Sequence, residues 1–374
     1  MLKSFSVKNY KNFKDEIRIS FDNVRDYSFN TNCTKNGLLN KMLIFGNNAS
    51  GKSNLGYALF DIVGVLTDNR IANEQQRNLY NADSPSKIME FYYKFQFGQD
   101  IVDYNYKKEE SYNNIIFEEL YINKELIYQF DYSNKKLSEN SNLEKINASS
   151  LNVDFSKLPI SISLLRVIAN NTIQEENGIV KKIEDFAKSM LLFKSLQQND
   201  FIGLEKSGTV ISDWIVKNGL IDDFNNFINK YTSINSKLKA ETFLNNIVIF
   251  EEHKSYSLDF TEVSSSGTKA LTVFYFWYKN LERIKFLYVD EFDAFYHFDL
   301  SINIMKLILE HTDIQVILTS HNTILADNDL MRPDCYYILN NGKLVSFADS
   351  TERELRQGHN LEKMMRQGEF NVES

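Results

Sequence analysis

Two adjacent carboxylates, a lysine–serine pair and one histidine are the residues of this sequence whose types and settings could handle a phosphoryl group. Lys52-Ser53 closes the stretch Gly46-Asn47-Asn48-Ala49-Ser50-Gly51-Lys52-Ser53-Asn54, which has the spacing G-x-x-x-x-G-K-[ST]. Glycine lets successive N–H groups turn inward, and a helix N-terminus adds partial positive charge, so residues 46–54 read as a phosphate cradle. Lys52 would reach the β and γ phosphates, and the Ser53 hydroxyl would hold Mg2+. The carboxylates are Asp290-Glu291. In nucleotide hydrolysis the first would hold the metal together with Ser53, and the second would activate the attacking water. His321, in Thr319-Ser320-His321-Asn322, could donate a hydrogen bond to the γ-phosphate. A fourth stretch, Ser264-Ser265-Ser266-Gly267-Thr268-Lys269, offers hydroxyls and N–H groups at a helix start. It suits an anion, and equally an ordinary N-cap.

Each of these groups needs an element to place it. The apolar run Met42 to Phe45 predicts a strand entering the cradle, and Leu55, Leu59, Ile62 and Leu66 predict a helix leaving it. Phe286 to Val289 and Val316 to Leu318 are short apolar runs suited to buried parallel strands, each delivering its chemistry at the carboxyl end. Ile302, Met305, Ile308 and Leu309 mark a helix between them, and Leu271, Phe274, Tyr278 and Leu281 mark one after the serine cluster. Asn341-Gly342 between apolar runs is a hairpin signal.

Away from these stretches, residues 2–8 and 16–21 alternate as a hairpin, and 88–97, 101–107, 114–122 and 125–132 as an antiparallel meander. Its Phe and Tyr residues read as a half-buried sheet face, not a base-stacking platform. Residues 133–157 read as mostly loop. From Leu164 to Asn246 the period is helical, with one stripe of Ile179, Ile183, Phe186 and Met190 and another of Phe224, Phe227, Ile228 and Tyr231. Gly203, Gly208 and Gly219 break it too often for a long coiled coil. The tail from Thr351 reads as helical, with Arg353, Arg356, Lys363 and Arg366 opposite Leu355, Leu361 and Met365.

The net charge of −8 speaks against a chain that wraps DNA without regard to sequence, although it leaves a local basic patch open. No run of eighteen apolar residues occurs, so no membrane span is expected, and the opening residues read as a strand, not a signal peptide. Cys33 and Cys335 have neither metal-type nor redox-type spacing, and a reducing cytoplasm is the expected setting.

The order of cradle, long insertion, serine-glycine helix start, acid pair and histidine resembles the ATP-binding-cassette ATPases, in their SMC/RecF/OLD-like, AAA-type branch. Ser265-Ser266-Gly267 matches the family's signature motif, Asp290-Glu291 its Walker B, Phe292-Asp293 its D-loop start and His321 its switch histidine. Met1 to Phe13, Arg332-Pro333-Asp334, and Asn360 to Met365 with Gly368 are similar to the RloA/AbiLi-type and PARIS-type ATPases of anti-phage systems. The resemblance implies an α/β fold of the ABC-ATPase type with an antiparallel β subdomain and an inserted helical lobe. Residues 1–160 and 247–374 would form the nucleotide-binding lobe and 161–246 the insertion. It implies ATP and Mg2+ as cofactors, and Lys52, Glu291 and His321 as the catalytic set. ATP would lie on residues 46–54 of one subunit and on Ser265, Ser266 and Gly267 of a second, in a sandwich homodimer or larger oligomer. It also implies a separate effector protein, commonly a TOPRIM-type nuclease, because the fifty or so residues after the histidine strand are too few for that domain. Asn170, Gln174 and Gln96 are candidates for the family's Q-loop residue. A RecF-like DNA-repair clamp, and a nucleotide-binding scaffold with little turnover, are the alternative functions.

Overall fold

The computed structural model describes residues 1–67, 79–109, 114–194, 200–203, 210–232, 235, 237–243 and 246–370. The chain opens with β1 (Leu2–Lys8) and β2 (Ile17–Ser20), passes two-residue strands β3 (Thr34–Lys35) and β4 (Leu38–Leu39), and enters β5 (Lys41–Phe45). Helices α1 (Lys52–Leu59) and α2 (Asp61–Leu66) follow. Next come β6 (Ile88–Phe97), β7 (Asp100–Glu109), β8 (Ile115–Ile122), β9 (Glu125–Asp131) and β10 (Lys136–Leu137). After α3 (Leu164–Asn171) and α4 (Ile179–Lys188) run β11 (Met190–Lys194) and β12 (Asp200–Gly203), then α5 (Ile211–Lys217) and α6 (Ile221–Tyr231). A small sheet of β13 (Leu238–Phe243), β14 (Asn246–Glu252) and β15 (Ser257–Asp259) leads through α7 (Phe260–Val263) into α8 (Ser266–Lys279). The chain ends with β16 (Phe286–Asp290), α9 (Phe298–Leu309), β17 (Gln315–Ser320), the hairpin β18 (Tyr336–Asn340) and β19 (Lys343–Ser346), and α10 (Leu361–Arg366).

Two seven-stranded sheets organise the molecule. The central one has the order β12-β11-β16-β17-β5-β18-β19, with its five inner strands parallel and the two edges antiparallel. Its strands β5, β11, β16 and β17 are buried at every position, which is why they read as unbroken apolar runs without alternation. The second sheet, β10-β9-β8-β7-β6-β1-β2, is antiparallel and joins the N-terminal hairpin to the meander through Val7 opposite Phe91. Its apolar face carries Phe91, Tyr93 and Phe95, and the Tyr93 hydroxyl donates to the carbonyls of Ala58 and Leu59 at the end of α1. The aromatic residues of the meander therefore build core, as their alternation predicts.

A single buried carboxylate ties this sheet to α3. Glu118 has no exposed surface and accepts from the hydroxyls of Tyr104, Tyr128, Tyr132 and Ser163 and from the N–H groups of Leu164 and Leu165. An anion at a helix N-terminus is favourable, and here it also satisfies polar groups that water cannot reach. Glu118→Ala is expected to cost about 3 kcal/mol or more, because those donors lose their acceptor together. Urea unfolding checks this, and a loss under about 1 kcal/mol would contradict the role.

The sequence reading needs four corrections. The stretch from Leu164 to Asn246 is not helical throughout, since β11, β12 and β13 lie within it. Met190 does not continue the stripe of α4, which ends at Lys188; it begins β11, a short apolar run that periodicity cannot tell from a buried helix. The helix after the cradle breaks at Phe60 into α1 and α2, although Leu55, Leu59, Ile62 and Leu66 are all buried as one face requires. Among the described residues of the tail only Leu361–Arg366 is α-helical, so Arg353 and Arg356 precede the helix. Gly208 lies outside the described residues. Arg332 and Asp334 form a buried ion pair at 2.8 Å, so that motif shapes the turn into β18. Among the described residues, no helix is long and apolar enough to cross a membrane.

Candidate functional site

Parallel strands β5, β16 and β17 are neighbours in register, so their carboxyl ends deliver three loops to one place. This is where open α/β sheets bind ligands. From β5 the chain turns through residues 46–51 and starts α1 at Lys52. Gly51 has φ 107°, and a Cβ there would lie 2.3 Å from Asn12 Nδ2 and 2.8 Å from the Phe13 ring. Only glycine fits. Asn12 braces the loop from outside: its side chain donates to the Ser50 carbonyl at 3.1 Å and accepts from Asn54 at 2.7 Å. From β16, the Tyr288 hydroxyl donates to the Lys52 carbonyl at 2.6 Å and fixes the first turn of α1.

Within this frame the predicted residues meet. The Ser53 hydroxyl donates to Asp290 Oδ2 at 2.6 Å, and the Thr319 hydroxyl donates to Asp290 Oδ1 at 2.9 Å. Lys52 Nζ donates to the Gly46 carbonyl at 2.9 Å, lies 2.9 Å from His321 Nε2, and is ion-paired with Glu291 Oε1 at 3.3 Å. His321 Nε2 is also 2.9 Å from Glu291 Oε1. One ring nitrogen cannot accept from the lysine and donate to the carboxylate at once, so its protonation selects the partner. Glu291 takes φ 51°, a left-handed conformation that a non-glycine residue adopts only when its surroundings impose it.

Burial pulls the Lys52 ammonium below the ordinary lysine range, against the attraction of Glu291, Asp290 and Asp293. Burial likewise pushes the Asp290 carboxyl above the usual carboxylate range, against the hydrogen bonds from Ser53 and Thr319. Asp293 is raised by burial too, with a Ser320 hydrogen bond opposing. A carboxyl raised on folding favours its protonated form, so its contribution to stability falls as pH climbs from the unfolded carboxylate pKa through the raised folded one. Asp290→Asn removes that loss. It is expected to stabilise the nucleotide-free protein at neutral pH and to raise its Tm. A thermal melt checks the sign, and a lower Tm would contradict it.

Ser265 and Ser266 are exposed at the start of α8, where the Ser265 side chain caps the Thr268 N–H. A Cβ at Gly267 would come within 2.9 Å of the Phe295 carbonyl, so this helix start packs against the segment following the acid pair. Among the described residues, no hydrogen bond joins it to the cradle. The three Q-loop candidates lie elsewhere. Gln96 donates to the Asn36 carbonyl, Gln174 to the Ile146 carbonyl and the Thr172 hydroxyl, and Asn170 is exposed on α3. The strand beside the acid pair is instead β11, with buried Lys194 in register with Asp290. Residues 195–199, which follow it, lie outside the described residues. Sequence reasoning missed the placing roles of Asn12, Tyr288 and Thr319. Only their positions inside quoted motifs or apolar runs could have flagged them.

With this geometry in view, the sequence match is decisive: residues 41–327 fit the family described as "AAA domain, putative AbiEii toxin, Type IV TA system". The chain belongs to that AAA family. The match spans the cradle, the acid pair and His321, so the candidate site of this AAA-family chain lies inside the family domain. Similar solved structures include an SMC head bound to the C-terminal winged-helix domain of ScpA, with 16% identity, covering 92% of this chain and 97% of that one, at TM-score 0.45. The SMC head domain from Thermotoga maritima shows 16% identity and the same coverages at 0.43. An SMC head with an extended coiled coil bound to the C-terminal domain of ScpA, derived from Pyrococcus furiosus, shows 13% identity over 98% of both chains at 0.43. No curated protein matches the AAA-family sequence at a significant level.

Proposed function

We propose that the chain is a Mg2+-dependent ATPase whose nucleotide-bound state closes a homodimer and thereby controls a separate effector in anti-phage defence. The observation that carries this reading is the meeting of Lys52, Ser53, Asp290, Glu291 and His321 at the ends of three adjacent parallel strands. The donor set fits a hard cation: a hydroxyl and a carboxylate oxygen 2.6 Å apart leave the remaining positions to water and phosphate, as Mg2+ prefers. Among the described residues no cluster of three His, Cys, Asp or Glu side chains forms an all-protein metal cage, which agrees with such a shared site. Bound there, the metal would neutralise charge on the β and γ phosphates.

The chain's own residues would do the rest. Lys52 exchanges its carbonyl and carboxylate partners for phosphate oxygens, which frees Glu291 Oε1 to accept a proton from water. His321 then has Nε2 available for the γ-phosphate. The serine-capped start of α8 is exposed, which suits it to complete a nucleotide held by a second copy. Residues 161–246 are not a separate lobe, because β11 and β12 from that stretch complete the central sheet beside β16. The motif resemblance supports the defence role and an effector, a nuclease, on another chain; the family's description, with its toxin–antitoxin system, supports the defence role alone. Copurification of the native neighbouring gene products tests that last point: a chain recovered without companion that still protects against phage would overturn it. Steady-state ATPase assays and sedimentation with and without ATP test the rest.

A further inference from the structure

One residue of β17 grips three consecutive residues of the acid loop. The Thr319 hydroxyl donates to Asp290 Oδ1 at 2.9 Å and accepts the Glu291 N–H at 2.8 Å, while the Thr319 carbonyl accepts the Phe292 N–H at 3.1 Å. Thr319 has no exposed surface, and its backbone is fixed in the central sheet opposite Ile44 of β5. A hydroxyl has one proton and two lone pairs, so a single oxygen can donate to a carboxylate and accept an N–H at the same time; an alkyl group of this size can do neither. The β-branch restricts χ1, so the direction of that hydroxyl is set by the strand. With Oδ1 held by Thr319 and Oδ2 by Ser53, the Asp290 carboxylate has one orientation. The Glu291 N–H bond in turn pins the residue with φ 51° that aims the second acid.

We propose that Thr319 is the positioning residue of the acid pair, setting through one oxygen both the orientation of Asp290 toward the metal and the left-handed turn that presents Glu291. This rests on the ATPase reading above. Sequence neighbours of the histidine thus act on the acids, and β17 aligns both halves of the site.

The test uses the full chain with Thr319→Val, which keeps the shape and loses the hydroxyl, and Thr319→Ser, which keeps the hydroxyl. The probe is a fluorescent ATP analogue titrated with Mg2+. The Mg2+ concentration that half-saturates the metal-dependent gain in affinity should rise about tenfold or more in the valine variant, and stay within about threefold of wild type in the serine variant. Affinity for the analogue without metal should be unchanged in both, whereas loss of fold would lower both affinities together. In turnover assays the valine variant should lose about 10- to 100-fold in kcat with KM little altered. Wild-type Mg2+ dependence in the valine variant, or a serine variant that behaves like it, overturns the proposal. Should Thr319→Val fail to fold, Thr319→Cys, a weaker donor of similar size, carries the same expectation and the same refutation. A wild-type chain that binds no nucleotide overturns the ATPase reading and this inference with it; one that binds and hydrolyses ATP while ignoring the Thr319 changes overturns the inference alone.

Discussion

Replacing Glu291 with Gln is expected to lower kcat for ATP by about 100-fold or more while leaving nucleotide affinity within a few-fold of wild type. The amide is nearly isosteric, so the left-handed backbone at residue 291 and its N–H bond to Thr319 persist. What goes is the proton acceptor. The amide also cannot hold Lys52 by charge, so the lysine is released toward phosphate more readily than in the wild type. ATP therefore binds and is not consumed. If the closed state is a dimer, sedimentation with saturating Mg2+-ATP should show the variant accumulating as a dimer that the wild type reaches only transiently. A variant that binds ATP and stays monomeric would refute the sandwich, and one with undiminished turnover would move the general base elsewhere.

Lys52→Ala should fail at an earlier step. The ammonium is buried, 4% exposed on its side chain, and its partners are the Gly46 carbonyl, His321 and Glu291. A charge-assisted hydrogen bond to phosphate in such a setting is worth about 1.5–3 kcal/mol, so affinity should fall by about 10- to 100-fold and turnover to background. The variant also removes the positive charge that offsets the effect of Glu291 on Asp290, which raises repulsion between the acids in the nucleotide-free protein. Calorimetric titration with ATP separates the two variants: Glu291→Gln gives a binding isotherm without hydrolysis, and Lys52→Ala gives little heat. Equal ATP affinity in Lys52→Ala and wild type would exclude the cradle as the phosphate site.

The parts of this site that were legible in the sequence are those whose chemistry is local. A phosphate loop needs glycine, lysine and serine within nine residues, and an acid pair or a histidine at the end of an apolar strand declares itself within six. The hairpin at Asn341-Gly342 was equally local, with φ 48° and 74° at the two turn residues. What escaped depends on which strands lie side by side. Nothing near Met190 says that its strand runs beside Phe286, and a five-residue apolar run between helices is ambiguous by periodicity. Nor does the spacing of Asn12, Tyr288 and Thr319 reveal that all three converge on the loops of Lys52 and Glu291. The two cysteines illustrate the same limit: without any motif spacing, the fold sets Cys33 and Cys335 side by side, thiol to thiol.

The order of the central sheet has a consequence for how the protein is made. Strand β5, which launches the cradle, has as its neighbours residues 316–320 and 336–338, both more than 270 residues further along the chain. During synthesis the cradle therefore leaves the ribosome without either flanking strand, while the N-terminal hairpin and meander already have each other. Contacts of such sequence separation form late and slowly. A nascent chain that has not yet reached these residues thus has its cradle strand unflanked, and the site can assemble only after residues 316–338 have been made.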